Sequence, residues 1–259
     1  MSDPILMQRD GAIATVVLNN SQSLNAFTER SWQLLGETMR KLSADESLRC
    51  VILRGAGEKA FAAGADIAEF DRVRSDSSAA KKYGGLIQEA MQAVAECRHP
   101  TLAQIHGVCV GGGLEIAAMC DMRICGSSSR FGIPINKLGL VMAYGELQGL
   151  LSVVGRAAAL EILLEGRVFG ADEALAKGLV NRVVADANVA AECGETSERI
   201  AAGAPLVARW HKKFIRRLAD PAQIPKAEWD EGFACFDTED YATGRAAFLA
   251  KAKPEFRGR

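Results

Sequence analysis

The chain has 259 residues, of which 49% are apolar and 24% charged, a composition that supports one large folded core or a core with a smaller appendage. A formal net charge of −1 excludes a global basic field of the kind that gathers nucleic acid or acidic membrane. No apolar run is expected to reach the length of a membrane span, and "MSDPILMQRDG" has no basic segment followed by an apolar one, so neither an anchor nor a secretory signal is expected.

Along the chain, "AIATVVLN" (12–19) reads as a β-branched strand. Thr28 is placed to cap a helix that carries Trp32, Leu35, Met39 and Leu42 on one face. "LRCVILRG" (48–55) is a second strand, and a loop follows through "GEKAFAAGADIAEF", with a short helix starting near Asp66. A helix is expected over about 77–97. "TLAQIHG" (101–107) is a third strand, followed by three glycines and a short helix, and "DMRICG" (121–126) is a fourth strand. This alternation argues for a layered α/β core with parallel pairing. Beyond residue 144 the segments "YGELQGLLSVVG", "RAAALEILLEG" and "ADEALAKG" look helical, "LVNRVV" (179–184) is one more strand, and from 187 onward nearly everything is helical. The expected organisation is a core over 1–190 and a helical region over 191–259.

The seven cysteines are scattered, none forms a C-x-x-C pair, and several lie inside apolar runs. They read as buried free thiols in a reducing cytosol, and with three mutually isolated histidines no metal site is expected. "GAGEKA" (55–60) lacks the spacing of a phosphate loop, and "GVCVGGG" is not a dinucleotide fingerprint. The basic cluster "RWHKKFIRR" (209–217) reads as a solvated helix face, with a polyanion site as the alternative.

Chemistry concentrates in "GVCVGGGLEIAAMCD" (107–121), where Glu115 is the one charge on a short helix that is otherwise apolar. Burying a carboxylate is costly, so its presence asks for a reason. A helix N-terminus offers unpaired N–H groups and the positive end of a dipole, and glycines let another molecule approach them. That suits an anion or a developing oxyanion, although a glutamate in a first turn is also favoured simply as a cap. "KAFAAGADI" (59–67) also lies past a predicted strand, so the two loops are placed to meet at one end of a sheet and to hold one carbonyl oxygen between two N–H groups.

In these segments the chain resembles the crotonase, or enoyl-CoA hydratase/isomerase, superfamily. The carriers are "LNNSQSLNAF" (18–27), "AFAAGADI" (60–67), "IHGVCVGGGLEIAAMCD" (105–121), "RFGIPINKLGL" (130–140), "LLEGRVFGADEALAKGLVNRVV" (163–184) and "FDTEDYATGRAAFLAKAKPEF" (236–256), in the family's order. The resemblance implies an α/β spiral of ββα units with a helical C-terminal trimerisation region, assembled as a homotrimer or a dimer of trimers. It implies a coenzyme A thioester as substrate, no separate cofactor, and a cytoplasmic location. Matched residue by residue, Ala65 and Gly112 supply the oxyanion-hole N–H groups and Glu115 the catalytic acid/base. Ala63, Ala65, Asp66, Ile67, Ala68, Gly112 and Lys251 fall at positions that contact CoA, Lys251 that of a neighbouring subunit. Enoyl-CoA hydratase is the activity the resemblance favours.

One departure bears on that activity. Typical hydratases bring a second glutamate from a segment that here reads "FGIPINKLGL", where Ile135 stands in its place. Either Glu115 works alone, or Glu146 substitutes, or the reaction is isomerisation, thioester hydrolysis, decarboxylation or carbon–carbon cleavage, with Tyr144 a further candidate proton donor or acyl contact. The alternative of another class is a catalytically silent relative that binds CoA or RNA.

Overall fold

The computed structural model describes residues 3–259. In chain order it contains β1 (Ile5–Asp10), β2 (Ile13–Leu18), α1 (Glu29–Ala44), β3 (Cys50–Gly55), β4 (Ala60–Ala62), α2 (Phe70–Val73), α3 (Ser77–Ala95), β5 (Thr101–Ile105), β6 (Val108–Val110), α4 (Gly112–Met119), β7 (Met122–Gly126) and β8 (Arg130–Gly132). There follow α5 (Tyr144–Glu165), β9 (Phe169–Gly170), α6 (Ala171–Ala176), β10 (Arg182–Val184), α7 (Val189–Ala201), α8 (Pro205–Arg217), α9 (Lys226–Glu231) and α10 (Glu239–Ala250).

The strands divide between a six-stranded sheet, β1-β2-β3-β5-β7-β10, and a four-stranded sheet, β4-β6-β8-β9. Each of the pairs β3/β4, β5/β6 and β7/β8 sends one strand to each sheet, and a helix then returns the chain to the next pair. The result is the expected spiral of ββα turns. Pairing is parallel from β2 to β10 in the large sheet and from β4 to β8 in the small one, with antiparallel partners only at β1 and β9. The large-sheet strands read in the sequence because β3 and β5 are buried on both faces and are correspondingly apolar.

Helix α1 forms as its sequence predicts. Thr28 accepts from the Ser31 N–H, and the Ser31 hydroxyl accepts from the Thr28 N–H, closing a capping box. The face carrying Trp32, Leu35, Met39 and Leu42 is buried. Six of the seven cysteines are buried and Cys235 is half-buried.

α5 corrects one expectation. It is long and apolar enough, by length and composition, to cross a membrane. It is broken at Gly155, whose φ of 70° is non-helical, so the two helical stretches read in the sequence are two limbs of one kinked element. Its first limb packs Leu150 into the core and Gly149 against Met119 of α4.

The C-terminal helices attach in two ways. α7 buries Val189 and Cys193 against Leu102 and Ile124 of the large sheet. α8 is tethered largely by its cations. Arg209 donates to the Glu46 carbonyl, Lys212 to the His99 carbonyl and the Asp121 carboxylate, and Arg216 to the Ala95 carbonyl. Lys213 pairs with Glu231 and Arg217 with Glu228. The basic cluster is thus spent on the protein's own backbone and carboxylates.

Asp121 is the hub of that attachment. It accepts from the Thr101 N–H at 2.7 Å, the Thr101 hydroxyl at 2.9 Å and Lys212 at 2.8 Å. Asp121→Ala would strand the Lys212 ammonium, whose side chain is 10% exposed. We expect a loss of about 2 kcal/mol in urea unfolding, discounted from the fully buried case because Asp121 is partly solvated. Lys212→Met, which removes the stranded charge, should cost less.

Candidate active site

The site is built where β4 and β6 end side by side. Because these strands are parallel neighbours, the turn after Ala62 and the turn after Val110 emerge together. Two glycines permit the contact. Gly111 takes φ 50°, ψ −128°, a conformation that a side chain would strain. Gly113 lies so close to β4 that a methyl group there would collide with the Ala62 carbonyl.

In the first turn, the Phe27 N–H donates to the Gly64 carbonyl at 2.7 Å and the Asp66 N–H to the Phe27 carbonyl at 2.8 Å. Successive N–H groups of an extended chain point to opposite sides, so the Ala65 N–H faces away from Phe27. A methyl group on Gly112 would sit 3.7 Å from the Ala65 nitrogen and 3.0 Å from the Trp32 ring. Among the described residues neither the Ala65 nor the Gly112 N–H has an acceptor. Two free donors therefore converge, one of them at the N-terminus of α4.

The far end of α4 is closed by a buried cation. Arg123 donates to the Ala117 carbonyl at 3.2 Å, the Cys120 carbonyl at 2.5 Å and the Leu179 carbonyl at 2.7 Å. Trp32 forms a rigid floor, stacked on Phe27 with ring centroids 4.1 Å apart and donating to the Tyr83 hydroxyl at 3.0 Å.

A cavity of about 140 Å³ opens beside these donors. Ala65, Gly112, Glu115, Glu146, Arg74 and Ile135 are among the residues that line it. Glu115 is 8% exposed. Burial, reinforced by the neighbouring charge of Glu146, holds its carboxyl well above the usual carboxylate range, and Arg74 offsets part of that rise. Glu146 is raised by burial as well, but the Ala143 N–H donates to it at 2.6 Å, and this bond and Arg74 pull it back. Two interacting carboxyls of this kind share protons and titrate as a pair.

The structure brings Ala63, Ala65, Ile67, Gly112, Glu115 and Glu146 to one cavity. Asp66 and Ala68 sit beside it in the same turn, where Asp66 accepts from the Ala68 N–H at 3.0 Å. Ile135 is in the wall, as an apolar residue. Tyr144 is not brought in: at the first position of α5 it is 93% exposed, while Glu146, two residues on, turns inward. Lys251 terminates α10 in a left-handed conformation, exposed and outside the cavity. Sequence reasoning missed Arg74 and the wall of Trp32, Leu138, Leu140 and Val141. In the sequence Trp32 reads only as part of the buried face of α1. Arg74 follows a four-residue helix and carries no local signal.

Comparison with known proteins agrees with this geometry. A family model described as "Enoyl-CoA hydratase/isomerase" matches residues 8–259. The chain is 33% identical to the short-chain-enoyl-CoA hydratase of Clostridium acetobutylicum, over 97% of this chain and 96% of that one. It is 35% identical to a probable enoyl-CoA hydratase of Rhizobium meliloti, over 99% of each. A crystal structure of an enoyl-CoA hydratase/carnithine racemase from Magnetospirillum magneticum superposes with a TM-score of 0.98 at 53% identity, covering 100% of this chain and 97% of that one.

The raised Glu115 carboxyl has a consequence for stability. Above the ordinary glutamate pKa of about 4.3 the unfolded chain loses this proton while the folded chain keeps it. Stability therefore falls as pH rises from there through the raised folded value, and the loss stays at higher pH. Glu115→Gln removes that loss. Its melting temperature should exceed the parent's at pH 9 by more than at pH 5; parallel melting curves across this range would contradict the assignment.

Proposed function

The chain belongs to the enoyl-CoA hydratase/isomerase family, and on that footing we propose that it is an enoyl-CoA hydratase, adding water reversibly across the 2,3 double bond of a 2-enoyl-CoA. The observation that carries this reading is the convergence of two carboxyls, Glu115 and Glu146, on the cavity beside the free Ala65 and Gly112 N–H groups. Hydration needs both a base and an acid. Ile135 removes the carboxylate from one wall, and the first turn of α5 supplies another.

The steps follow from the geometry. The thioester oxygen accepts from Ala65 and Gly112. A carboxylate takes a proton from water as its oxygen bonds to C3, the π electrons move onto the thioester oxygen, and the resulting enolate is protonated at C2 by the other carboxyl. Each oxyanion donor contributes about 3–4 kcal/mol to such a transition state. Glu115, without a hydrogen-bond partner among the described residues, is the more penalised as an anion and carries the proton to C2. Glu146, steadied by the Ala143 N–H and the N-terminus of α5, is the base toward water. Isomerisation, thioester hydrolysis, decarboxylation and carbon–carbon cleavage were left open by Ile135, and a second carboxyl in the cavity supports hydration over them.

The turn from Ala63 to Ala68 is the proposed seat of the CoA adenine end, with Lys251 reaching it from a neighbouring subunit in a homotrimer or dimer of trimers. Exposed apolar side chains on α5 (Leu160, Leu164) and around α10 (Phe236, Phe248, Leu249) support such an assembly, and a cytoplasmic location is part of the same proposal. The self-bonded cations of α8 support a role other than RNA binding.

Hydration of crotonyl-CoA, followed by loss of the enoyl-thioester absorbance, tests the reading. Glu115→Gln and Glu146→Gln should each lower kcat by about 10²–10⁴-fold, and the double variant should be little worse than either alone. In the residual activity of Glu146→Gln, the limb of the pH profile due to Glu115 should move to lower pH, because a like charge is gone. Parental kcat in Glu146→Gln would end the two-carboxyl mechanism.

A further inference from the structure

Arg74 has no place in the steps above. It is the one cation among the residues lining the cavity. Its guanidinium lies 4.6 Å from the Phe70 ring centroid and 5.3 Å from that of Tyr83, which fixes its plane by cation–π contact. Two residues earlier, Arg72 is paired with Glu29 and Glu69. The Arg74 guanidinium, by contrast, donates no hydrogen bond and makes no ion pair among the described residues. Its charge reaches both cavity carboxyls, but neither pairs with it directly: Glu146 is turned to the Ala143 N–H, and Glu115 stands on α4.

The rest of the acyl wall is hydrocarbon: Ile135, Leu138, Leu140 and Val141. A purely hydrocarbon acyl chain would strip water from the guanidinium and return no hydrogen bond, which is costly. A carboxylate would return two parallel charge-assisted hydrogen bonds to a fork already held in position. We propose that Arg74 is a substrate-binding residue that selects acyl-CoA thioesters whose acyl group ends in a second carboxylate. The inference rests on the acyl-CoA reading of the same cavity, but not on hydration being the reaction.

Saturated thioesters test recognition apart from chemistry. The dissociation constants of glutaryl-CoA and pentanoyl-CoA, which have equal carbon counts and nothing to hydrate, are measured by titration calorimetry. The parent should bind glutaryl-CoA about tenfold or more tighter, as hydrogen bonds to a charged group imply. In Arg74→Gln the ratio should collapse toward one, and Arg74→Lys should restore part of it. Equal binding of the two by the parent overturns the proposal without any variant, and a ratio that survives Arg74→Gln overturns it too. A glutaryl preference lost in Arg74→Gln, together with no hydration of glutaconyl-CoA or crotonyl-CoA, would sustain this inference while ending the hydratase reading. Failure of both thioesters to bind would end both.

Discussion

The molecule is organised around one close approach, that of the turn after β4 onto the N-terminus of α4. Backbone must come within van der Waals distance of backbone there, and Gly113 meets the requirement by having no side chain to place against Ala62. The parallel pairing of β4 with β6 makes the two turns leave the small sheet together, and the ββα spiral makes that pairing available. Phe27 holds the outer turn by two backbone bonds, and the Trp32 ring stacked on it fills the space beneath Gly112. Two N–H groups, those of Ala65 and Gly112, then remain without partners among the described residues.

The side chains of the cavity follow from that arrangement. Once α4 is pressed into the core by its N-terminal end, a residue one turn along it is buried whatever its type, and here that residue is Glu115. A lone buried carboxylate would be expensive. It is tolerated because it can keep its proton, because Arg74 is near, and because its partner carboxyl is restrained by the helix it caps. In the proposed mechanism, moving the second carboxyl from the turn at Ile135 to the first turn of α5 makes one side chain both a cap and a reacting group.

Much of this was legible in the sequence, and the limits have physical causes. α1, with its Thr28 cap and its Trp32–Leu42 stripe, was readable because periodicity and capping agree over 16 residues. The inner strands β2, β3 and β5 of the large sheet were readable because they are predominantly apolar. The small-sheet strands β4, β6 and β8 were not, since three residues carry no period. The edge strand β1 escaped for the opposite reason: only Ile5 of its six residues is buried. Glu115 and its glycines announced themselves by chemical incongruity. Glu146 looked like any first-turn glutamate, and only the folding of α5 over the cavity mouth separates it from one. Arg74 was invisible because its meaning lies in what fails to pair with it.

The buried Arg123 at the other end of α4 gives the site a polarity that outlasts any particular reaction. With a cation at the carbonyl end and free N–H groups at the other, about 12 Å away for eight residues, the helix is electrically complete at one terminus and open at the other. Only negative charge can complete it. The pocket therefore discriminates by the sign of the charge that develops on the thioester oxygen, before it discriminates by which bond is made. Chemistry that pushes electrons onto that oxygen is assisted. Chemistry that draws them away, toward an acylium-like carbonyl, meets the same field as an obstacle.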